Sequence, residues 1–240
     1  MLKDRADKIL ADLKLVASRS QAKSLIEKGD VVVNGTVLQK ASELISPEDQ
    51  IEIKSPLFVG RGAFKLEKAL EVFPLQVKDL TLMDVGASTG GFTEVLLQHG
   101  ARKVFAIDVG HDQLAQKLRE DSRVINLEGM NIKDLSVLPE LVDGAVMDLS
   151  FISMTKVLDS LYPLMKQGAF LIALVKPQFE AGPERLPKDG VVKDQKLRDQ
   201  ILKEVIEFSE THGWKHHQSL ISPIEGKSGN QEFLIWLTRL

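Results

Sequence analysis

The sequence predicts an α/β fold: a mostly parallel, doubly wound sheet that follows a small α+β domain. Five short apolar segments indicate buried strands: TLMDVG, RKVFAIDVG, RVINLEG, DGAVMDLS and AFLIALVKP. Helical patterns separate several of them, for example GGFTEVLLQHG and ISMTKVLDSLYPLM, which is typical of βαβ units. Two more strands, HHQSLISPI and QEFLIWLTRL, have no helix between them, and this favours an antiparallel pair. We expect the small domain in residues 1–56 and the seven-stranded domain in residues 57–240, with 57–64 as its lead-in.

The composition predicts a chain with a buried hydrophobic core and favours a reducing compartment. Hydrophobic residues make up 43% and charged residues 27% of the 240 residues, an ordinary soluble balance. The chain has no cysteine, which excludes disulfides and thiolate metal sites and suits the cytoplasm. The start, MLKDRADKILADLKLV, mixes charged and apolar residues, so neither a signal peptide nor a membrane span is expected. The histidines lack ligand spacing, and no metal is expected.

The first domain is predicted to contain two helices and a tight hairpin. A first helix is indicated by the spacing of four apolar residues: Ile9, Leu10, Leu13 and Ala17. Ser18 stands where an N-cap belongs, and the second helix, RSQAKSLIEKG, ends at Gly29. Asn34-Gly35 between VVV and TVL is a strong hairpin signal, and QIEIK alternates like a strand.

This order of elements resembles the S-four RNA-binding domain of a small-subunit ribosomal protein. The resemblance is carried by Arg5 and Asp7, by SRSQAKSLIEKGDVVVNG and by Asp49 to Ile53, and it covers most of residues 1–54. Ala6 departs from it, because the family usually has a larger apolar residue there. The resemblance implies that this domain binds RNA.

Charge agrees with RNA binding in the first domain, although the whole chain has a formal net charge of -3 and no global basic field. Residues 1–29 hold seven basic residues against four acidic ones. Arg19 and Lys23 lie one helical turn apart. A solvated helix face is the alternative, and the domain pattern favours phosphate contacts. The RNA-binding candidates along the chain are Arg5, Arg19, Lys23, Lys28, Arg61 and Arg185.

The segment LMDVGASTGGFTEVLL joins a predicted strand to a predicted helix through a loop of small residues. It lacks the lysine of a phosphate-binding P-loop, and the later GKS at Gly226–Ser228 has Ile221 where the first glycine must be. Ser88 replaces the second glycine of a dinucleotide fingerprint. Neither a nucleoside triphosphate nor a dinucleotide is therefore favoured.

The pattern that fits is an acid followed by small turn residues, D-x-G-x-S-x-G-G. The carboxylate of Asp84 would repel a pyrophosphate and suit a cationic ligand. Asp108 ends the next strand, the position that takes ribose hydroxyls in such folds. A tight turn without a ligand is the alternative, and Asp108 favours binding.

The segments DVGASTGGFT and GRGAFKLEKAL resemble the TlyA group of FtsJ-like ribose 2'-O-methyltransferases, which join an S-four-type domain to a Rossmann-like methyltransferase. MDLSFIS, LVKPQFE and GNQEFLIWL match the same family, so the resemblance covers nearly the whole chain. It implies S-adenosylmethionine as cofactor and the ribose 2'-hydroxyl of a ribosomal RNA cytidine as substrate. The cofactor-binding candidates are Asp84, Gly86, Ala87, Ser88, Gly90, Gly91, Phe92, Asp108, Asn131 and Asp148.

The same resemblance implies a catalytic set of two lysines and two acids. The set falls on Lys65, Asp148, Lys176 and Glu232. Position supports it independently, because Asp148 and Lys176 follow predicted parallel strands, and ligands bind at that edge of a sheet. A helix cap is the alternative for Asp148. Lysine is a poor end for a buried strand unless its charge is used, which favours a functional Lys176.

The hypothesis for the chemistry is that Lys176 accepts or orients the proton of the ribose hydroxyl. Lys65 lowers the proton affinity of Lys176 through like charge, while Asp148 and Glu232 fix its position. A lysine base needs a lowered pKa, and the two carboxylates oppose this, so hydrogen-bonded steering is the alternative to base catalysis.

Three points stay open in the sequence. Residues 177–194 form a long connection that is either a lid whose Arg185, Lys188 and Lys193 meet RNA or a mobile surface loop. The alternatives to an enzyme are a non-enzymatic RNA-binding assembly factor and a haemolysin, a label often attached to the family. The oligomeric state and the modified nucleotide are undetermined.

Overall fold

The structure is a computed structural model that describes residues 3–13, 15–16, 18–54, 58–226 and 228–240. The chain separates into two compact units, Met1–Phe58 and Val59–Leu240. Ala17, predicted to lie on the first helix, and Pro56 and Leu57, at the predicted domain boundary, fall outside the described residues.

The N-terminal unit has two helices and five short strands in its described part. They are β1 (Asp4–Arg5), α1 (Ala6–Asp12), α2 (Arg19–Glu27), β2 (Val31–Val33), β3 (Thr36–Val37), β4 (Leu44–Ile45) and β5 (Ile51–Ile53). Strand β1 pairs with β4, and β3, β2 and β5 form a second antiparallel sheet. The two helices and the hairpin follow one another in the predicted order.

Local chemistry explains the boundaries of these elements. The Ser18 hydroxyl accepts a hydrogen bond from the Gln21 N–H, so Ser18 is the N-cap of α2. Asn34 and Gly35 both have positive φ, 49° and 78°, as a tight two-residue hairpin turn requires. Helix α1 is shorter than predicted: it ends at Asp12, and Leu13 is 40% exposed because it lies beyond the helix.

The C-terminal unit alternates strands and helices as predicted. Its elements are α3 (Ala63–Val72), β6 (Thr81–Val85), α4 (Gly91–Gln98), β7 (Lys103–Asp108), α5 (Gln116–Arg119), β8 (Val124–Glu128), β9 (Val142–Met147), α6 (Leu158–Leu161), β10 (Met165–Val175), α7 (Pro177–Glu180), α8 (Gln195–Thr211), β11 (Trp214–Ile221) and β12 (Phe233–Arg239). Three single 3₁₀ turns add to them, at Ile132–Asp134, Met154–Lys156 and Tyr162–Leu164.

The seven strands form one sheet in the order β11-β12-β10-β9-β6-β7-β8. Strands β6 to β10 run parallel to one another, and β12 is antiparallel to both β10 and β11. From β6 the chain first builds outward to β7 and β8 and then returns to β9 on the other side. The point where the order reverses lies between β6 and β9, and ligands bind at such a point beyond the carboxyl ends of the strands.

Two sequence predictions need correction. RVINLEG was expected to be a buried strand, but β8 is the edge of the sheet and Ile125 is 38% exposed. ISMTKVLDSLYPLM was expected to be one helix, but it forms two 3₁₀ turns on either side of the short α6. Pro163 lies in the second 3₁₀ turn, where it has no N–H for a continuing helix.

The connection 177–194 is anchored to the rest of the unit. It begins with α7, and Ala181 and Val192 pack on the buried Ile201 of α8. The Asn230 side chain accepts a hydrogen bond from the Val192 N–H and donates one to the Gly190 carbonyl. These contacts favour a packed connection over the mobile surface loop among the two sequence alternatives.

Candidate active site

Four charged side chains meet in one buried cluster at the carboxyl edge of the sheet. Lys65 Nζ lies 2.7 Å from Glu232 Oε2 and 3.4 Å from Asp148 Oδ2, and Lys176 Nζ lies 2.6 Å from Asp148 Oδ1. Lys65, Lys176 and Glu232 are at most 7% exposed. Because amines and carboxylates alternate, each buried charge has an opposite charge beside it. The structure therefore brings together all four residues of the predicted catalytic set.

The topology explains why four distant segments meet. Asp148 and Lys176 directly follow the neighbouring parallel strands β9 and β10. Glu232 precedes β12, which runs antiparallel to β10 with Phe233 opposite Val175, so it reaches the same edge. Lys65 comes from α3, which packs against α4. The helix-cap alternative for Asp148 does not hold, because Ser153 caps the turn that follows.

Two neutral side chains that sequence reasoning missed complete the cluster. Ser150 Oγ accepts a hydrogen bond from Lys176 Nζ at 3.0 Å. Gln178 Nε2 donates to Glu232 Oε1 at 3.3 Å, on the side of Glu232 away from Lys65. Both residues lie within two positions of a predicted catalytic residue, which is the only sequence signal they carry.

A cavity of about 380 Å³ opens beside the cluster. Five predicted cofactor-binding residues line it: Gly86, Ser88, Asp108, Asn131 and Asp148. Further lining residues, not predicted, are Val85, Ile107, Val109, Gln113, Met130, Ile132, Leu149, Ser150, Phe151, Ile152 and Val157. Among the described residues that border it there are two carboxylates and neither lysine nor arginine. Asp148 belongs to both the cavity wall and the cluster.

The glycine loop shapes the cavity without lining it throughout. Gly86 has φ +87°, and a Cβ there would lie 2.7 Å from the Asp148 carbonyl oxygen, so the ends of β6 and β9 approach closely only because Gly86 lacks a side chain. Gly90, with φ +93°, caps α4. Ala87, Gly91 and Phe92 also belong to this turn but are absent from the cavity wall.

Asp84 requires a correction. Its side chain is fully buried, and its Oδ2 accepts hydrogen bonds from the Thr93 N–H and hydroxyl at 2.9 and 2.7 Å. Burial raises the pKa of Asp84 to about 7, although the Thr93 hydrogen bonds oppose the rise. Through Oδ2 the carboxyl group therefore ties β6 to the start of α4, while the buried Oδ1 has no hydrogen-bond partner among the described residues. Asp84 does not line the cavity, where it was expected to meet a cationic ligand.

Asp108 lies in the cavity wall and joins two loops. Its Oδ2 accepts from the Ser88 N–H at 2.8 Å, and its Oδ1 accepts from the Gly110 N–H at 2.7 Å. Each carboxylate oxygen keeps a further lone pair. Asp108 is thus fixed in place and still able to accept a hydrogen bond from a ligand hydroxyl.

Glu128, which sequence reasoning missed, anchors the loop that carries Gln113. Its Oε1 accepts from the N–H groups of Gln113 and Leu114 at 2.6 and 2.9 Å, and its Oε2 lies 3.1 Å from Arg119. Burial acts to raise the pKa of Glu128, but hydrogen bonds from Asn126 and the two backbone N–H groups, with the Arg119 charge, lower it to about 2. The loop is therefore held by an ionised carboxylate at neutral pH.

Phe151 is an exposed aromatic residue at the cavity mouth. It has φ +67°, an unusual conformation for a residue with a side chain, and is 91% exposed. Its ring centroid lies 5.3 Å from that of Phe179, and Lys176 Nζ lies 5.8 Å from the Phe179 centroid. Glu180 accepts a hydrogen bond from the Met154 N–H, which ties the two segments that carry the rings. Nothing in the sequence signals the backbone conformation of Phe151.

The RNA-binding candidates differ in their surroundings. Arg5, Arg19, Lys23, Lys28 and Arg61 are exposed. Arg185 requires a correction: its guanidinium makes two hydrogen bonds to Glu204, at 2.9 and 2.8 Å, and one to the Ala181 carbonyl. These contacts favour a structural role that joins the connection 177–194 to α8.

The described part of the chain contains neither a metal-binding group of side chains nor a membrane-spanning helix. Among the described residues, no group of three or more histidine, aspartate or glutamate side chains could hold a metal ion. No helix in the same residues combines the length and apolar character needed to cross a bilayer.

The sheet order, the terminal antiparallel strand and the acid-lined cavity define a Rossmann-like methyltransferase. A family model described as FtsJ-like methyltransferase matches residues 58–239, and one described as S-four domain matches residues 4–51. The chain belongs to the FtsJ-like methyltransferase family, and it carries an S-four domain ahead of the methyltransferase domain. The predicted fold class and enzyme class are confirmed.

Similar proteins share both parts. The chain is 41% identical over 240 residues to the 16S/23S rRNA (cytidine-2'-O)-methyltransferase TlyA of Mycobacterium tuberculosis, covering 97% of this chain and 89% of that protein. It is 42% identical over 221 residues to Hemolysin A of Brachyspira hyodysenteriae, covering 90% and 92%. A solved structure from Streptococcus thermophilus, which has a provisional haemolysin name, aligns with a TM-score of 0.77 and 40% identity, covering 100% of this chain and 89% of that one.

Proposed function

We propose that this protein transfers a methyl group from S-adenosylmethionine to the 2'-hydroxyl of a cytidine in ribosomal RNA. The observation that carries the proposal is the position of Asp148, which lines the cavity and also pairs with Lys65 and Lys176. One residue thus joins a pocket for the methyl donor to a pair of amines that meet the acceptor. A relative named for rRNA methylation, 41% identical, supports ribosomal RNA as the acceptor, and we place the protein with that RNA in the cytoplasm.

The cavity fits S-adenosylmethionine better than a phosphorylated cofactor. Its described wall holds the carboxylates of Asp108 and Asp148 and no basic side chain, so it suits a ligand with positive charge and no phosphate. Asp108 has lone pairs left for ribose hydroxyls. When bound, S-adenosylmethionine supplies a methyl group on a positively charged sulfur.

Lys176 is the residue we assign to the acceptor hydroxyl. An ammonium group has three N–H donors. Ser150 accepts one of them and Asp148 Oδ1 is an ion-pair partner at 2.6 Å, and among the described residues no other hydrogen bond or ion pair of this amine is present. The remaining N–H is available to hold the ribose oxygen in line with the methyl group, and such positioning supplies much of the rate acceleration.

Lys65, Asp148 and Glu232 hold Lys176 in place. Asp148 binds both lysines through its two oxygens, and Glu232 binds Lys65 on the far side. Gln178 in turn donates to Glu232. The chain of contacts fixes the Lys176 amine at the cavity edge and leaves it little freedom to turn away.

The N-terminal unit and the exposed arginines supply the contacts with RNA. Arg5, Arg19, Lys23 and Lys28 lie on that unit, and Arg61 lies just ahead of α3. Exposed basic side chains bind phosphates without reading sequence. We assign the N-terminal unit to RNA binding and the C-terminal unit to catalysis.

The test of the proposed function is methyl transfer from labelled S-adenosylmethionine to purified ribosomal subunits and to their isolated RNA. We expect label in RNA, dependent on the protein. Calorimetry is run beside it, and we expect heat from titration with the methyl donor. Binding of RNA without transfer of label, together with no heat, would support the assembly-factor alternative instead.

Phe151 is expected to stack on the base of the acceptor nucleotide. Stacking on an aromatic ring stabilises a nucleotide by about 1–3 kcal/mol. Phe151→Ala is therefore expected to lower kcat/KM for RNA by about 10- to 100-fold and to leave the free energy of unfolding nearly unchanged, because the ring is 91% exposed. Phe151→Tyr is the control, and it is expected to retain most activity. Equal kcat/KM for wild type and Phe151→Ala would exclude stacking.

Glu128 is expected to support binding of the methyl donor through the loop that it anchors. Glu128→Gln loses one charged acceptor, which costs about 1–2 kcal/mol, so donor affinity is expected to fall roughly 5- to 30-fold in calorimetry. Glu120→Gln is the control, because among the described residues the Glu120 side chain bonds to none but the exposed Gln116. The lowered pKa means that the stabilising contribution of Glu128 is present above about pH 4.5 and lost as the pH falls towards about 2. Unchanged donor affinity would show that the loop needs no anchor.

A further inference from the structure

Asp7 connects two arginines of the N-terminal unit. Its carboxylate, in the first turn of α1, is 6% exposed. Asp7 Oδ1 lies 3.0 Å from Arg5 Nε, and Asp7 Oδ2 lies 3.2 and 2.9 Å from terminal nitrogens of Arg5 and Arg19. Arg5 ends β1 and Arg19 begins α2, so one buried acid joins side chains from two separate elements.

Asp7 holds the two guanidinium groups but leaves several of their N–H donors available. The side chains of Arg5 and Arg19 are 46% and 55% exposed. A guanidinium has five N–H donors in a fixed plane. Asp7 takes two from Arg5 and one from Arg19, and within the described residues the other side-chain N–H groups have no partner. Two planar donor groups therefore face solvent next to each other.

The carboxylate of Asp7 stays ionised at neutral pH. Hydrogen bonds from Arg5 and then Arg19 lower the pKa of Asp7, and they outweigh the burial that would raise it. A buried carboxylate needs such partners, so the positions of the arginines and the acid are mutually fixed. The arrangement is a rigid pair of guanidinium groups and not two independent surface charges.

We propose that Asp7 holds Arg5 and Arg19 as a single phosphate-binding pair that takes one phosphodiester of folded RNA. Planar guanidinium groups match phosphate oxygens in paired hydrogen bonds, and prior ordering lowers the entropy cost of binding. The basic balance of residues 1–29 in a chain of net charge -3 favours RNA as the partner. The inference rests on the RNA-binding part of the proposed function and assigns Asp7, an acid, a positive role in it.

This role of Asp7 predicts a change in RNA affinity that is opposite to the change that simple electrostatics predicts. Asp7→Asn removes a negative charge beside two arginines, so charge alone predicts tighter RNA binding. Loss of the ordered pair predicts weaker binding. Asp4→Asn is the matched control, because Asp4 lies three residues away, pairs with Lys8 and makes the same change in net charge without joining the two arginines.

The experiment measures binding of the full chain to a fluorescent, folded fragment of ribosomal RNA by anisotropy at several salt concentrations. For Asp7→Asn we expect about 10-fold weaker binding and a salt slope reduced by about 1, as for one lost phosphate contact. For Asp4→Asn we expect equal or tighter binding and an unchanged slope. If Asp7→Asn binds RNA as tightly as the wild type does, the inference about Asp7 is overturned, while the proposed function is not affected.

A second pair of variants guards against misfolding of Asp7→Asn, which thermal unfolding would reveal. Arg5→Lys and Arg19→Lys keep the charge but lose the planar donor group. Each is expected to weaken RNA binding by about 3- to 10-fold, and wild-type affinity in both would overturn the inference. Absence of RNA binding by the wild-type chain would overturn the RNA-binding part of the proposed function as well.

Discussion

Lys176→Ala is expected to abolish methyl transfer while the protein remains folded and binds the methyl donor. The variant loses the amine that lies 2.6 Å from Asp148 and that we assign to the acceptor hydroxyl. A loss of kcat on the order of 10³-fold is expected, which corresponds to about 4 kcal/mol of lost transition-state stabilisation. The measurement is single-turnover transfer of labelled methyl to RNA at saturating donor, with donor affinity determined separately by calorimetry.

Lys166→Ala is the matched control for Lys176. Lys166 lies on the same strand, β10, at its opposite end, and pairs with Asp143 at 2.5 Å while half exposed. This variant is expected to transfer methyl groups at the wild-type rate. Normal transfer by Lys176→Ala with normal donor binding would contradict the assignment of Lys176 to the acceptor.

Gly86→Ala is expected to have the largest effect on binding of the methyl donor. Its Cβ would lie 2.7 Å from the Asp148 carbonyl oxygen, which is backbone and has little room to move, and its φ of +87° is strained for alanine. The ends of β6 and β9 must separate at the cavity wall. We expect donor affinity to fall about 100-fold or more in calorimetry and the free energy of unfolding to fall by about 2–4 kcal/mol.

Gly168→Ala separates backbone strain from the steric contact. Gly168 has φ +76°, close to that of Gly86, but a Cβ there meets no atom of the described residues within 4 Å. We expect a loss of stability of about 1 kcal/mol from strain and no change in donor affinity. Equal effects of the two substitutions on donor affinity would mean that the close approach at Gly86 has no part in the binding site.

The sequence predicted the strand-end residues well because a parallel sheet collects its carboxyl ends at one edge. Asp148 and Lys176 each follow a strand and Asp108 ends one, so their convergence follows from topology alone. The resemblance to a known family added Lys65, which lies on helix α3, and Glu232, which lies just ahead of the antiparallel strand β12. Their catalytic roles stay predictions, although the structure places all four side chains together.

The sequence was less informative where a side chain's direction decides its role. Asp84 lies one residue before the end of β6, much as Asp108 ends β7, but its carboxyl turns towards Thr93 and is buried. Arg185 lies in a connection that could reach RNA, but Glu204, a residue of α8, pairs with it. Pairing of this kind joins residues far apart in the chain, and single-residue patterns do not show it.

Local patterns also failed where the fold imposed an edge or a strained conformation. RVINLEG has the apolar residues of a buried strand, yet β8 has only one neighbour. Phe151 has φ +67° in the irregular segment between Asp148 and the 3₁₀ turn at Met154. Propensity does not predict such a conformation for phenylalanine. The position of the exposed Phe151 ring beside the cavity is therefore visible only in the structure.

The most direct test of the central claim is the identity of the methylated nucleoside. Ribosomal RNA treated with the protein and labelled S-adenosylmethionine is digested to nucleosides, which are separated and examined by mass spectrometry. We predict that label appears in 2'-O-methylcytidine and disappears when Lys176→Ala replaces the wild type. Label on a nucleobase, or label in the ribose product at the wild-type rate with Lys176→Ala, would contradict a 2'-hydroxyl transfer organised by this cluster.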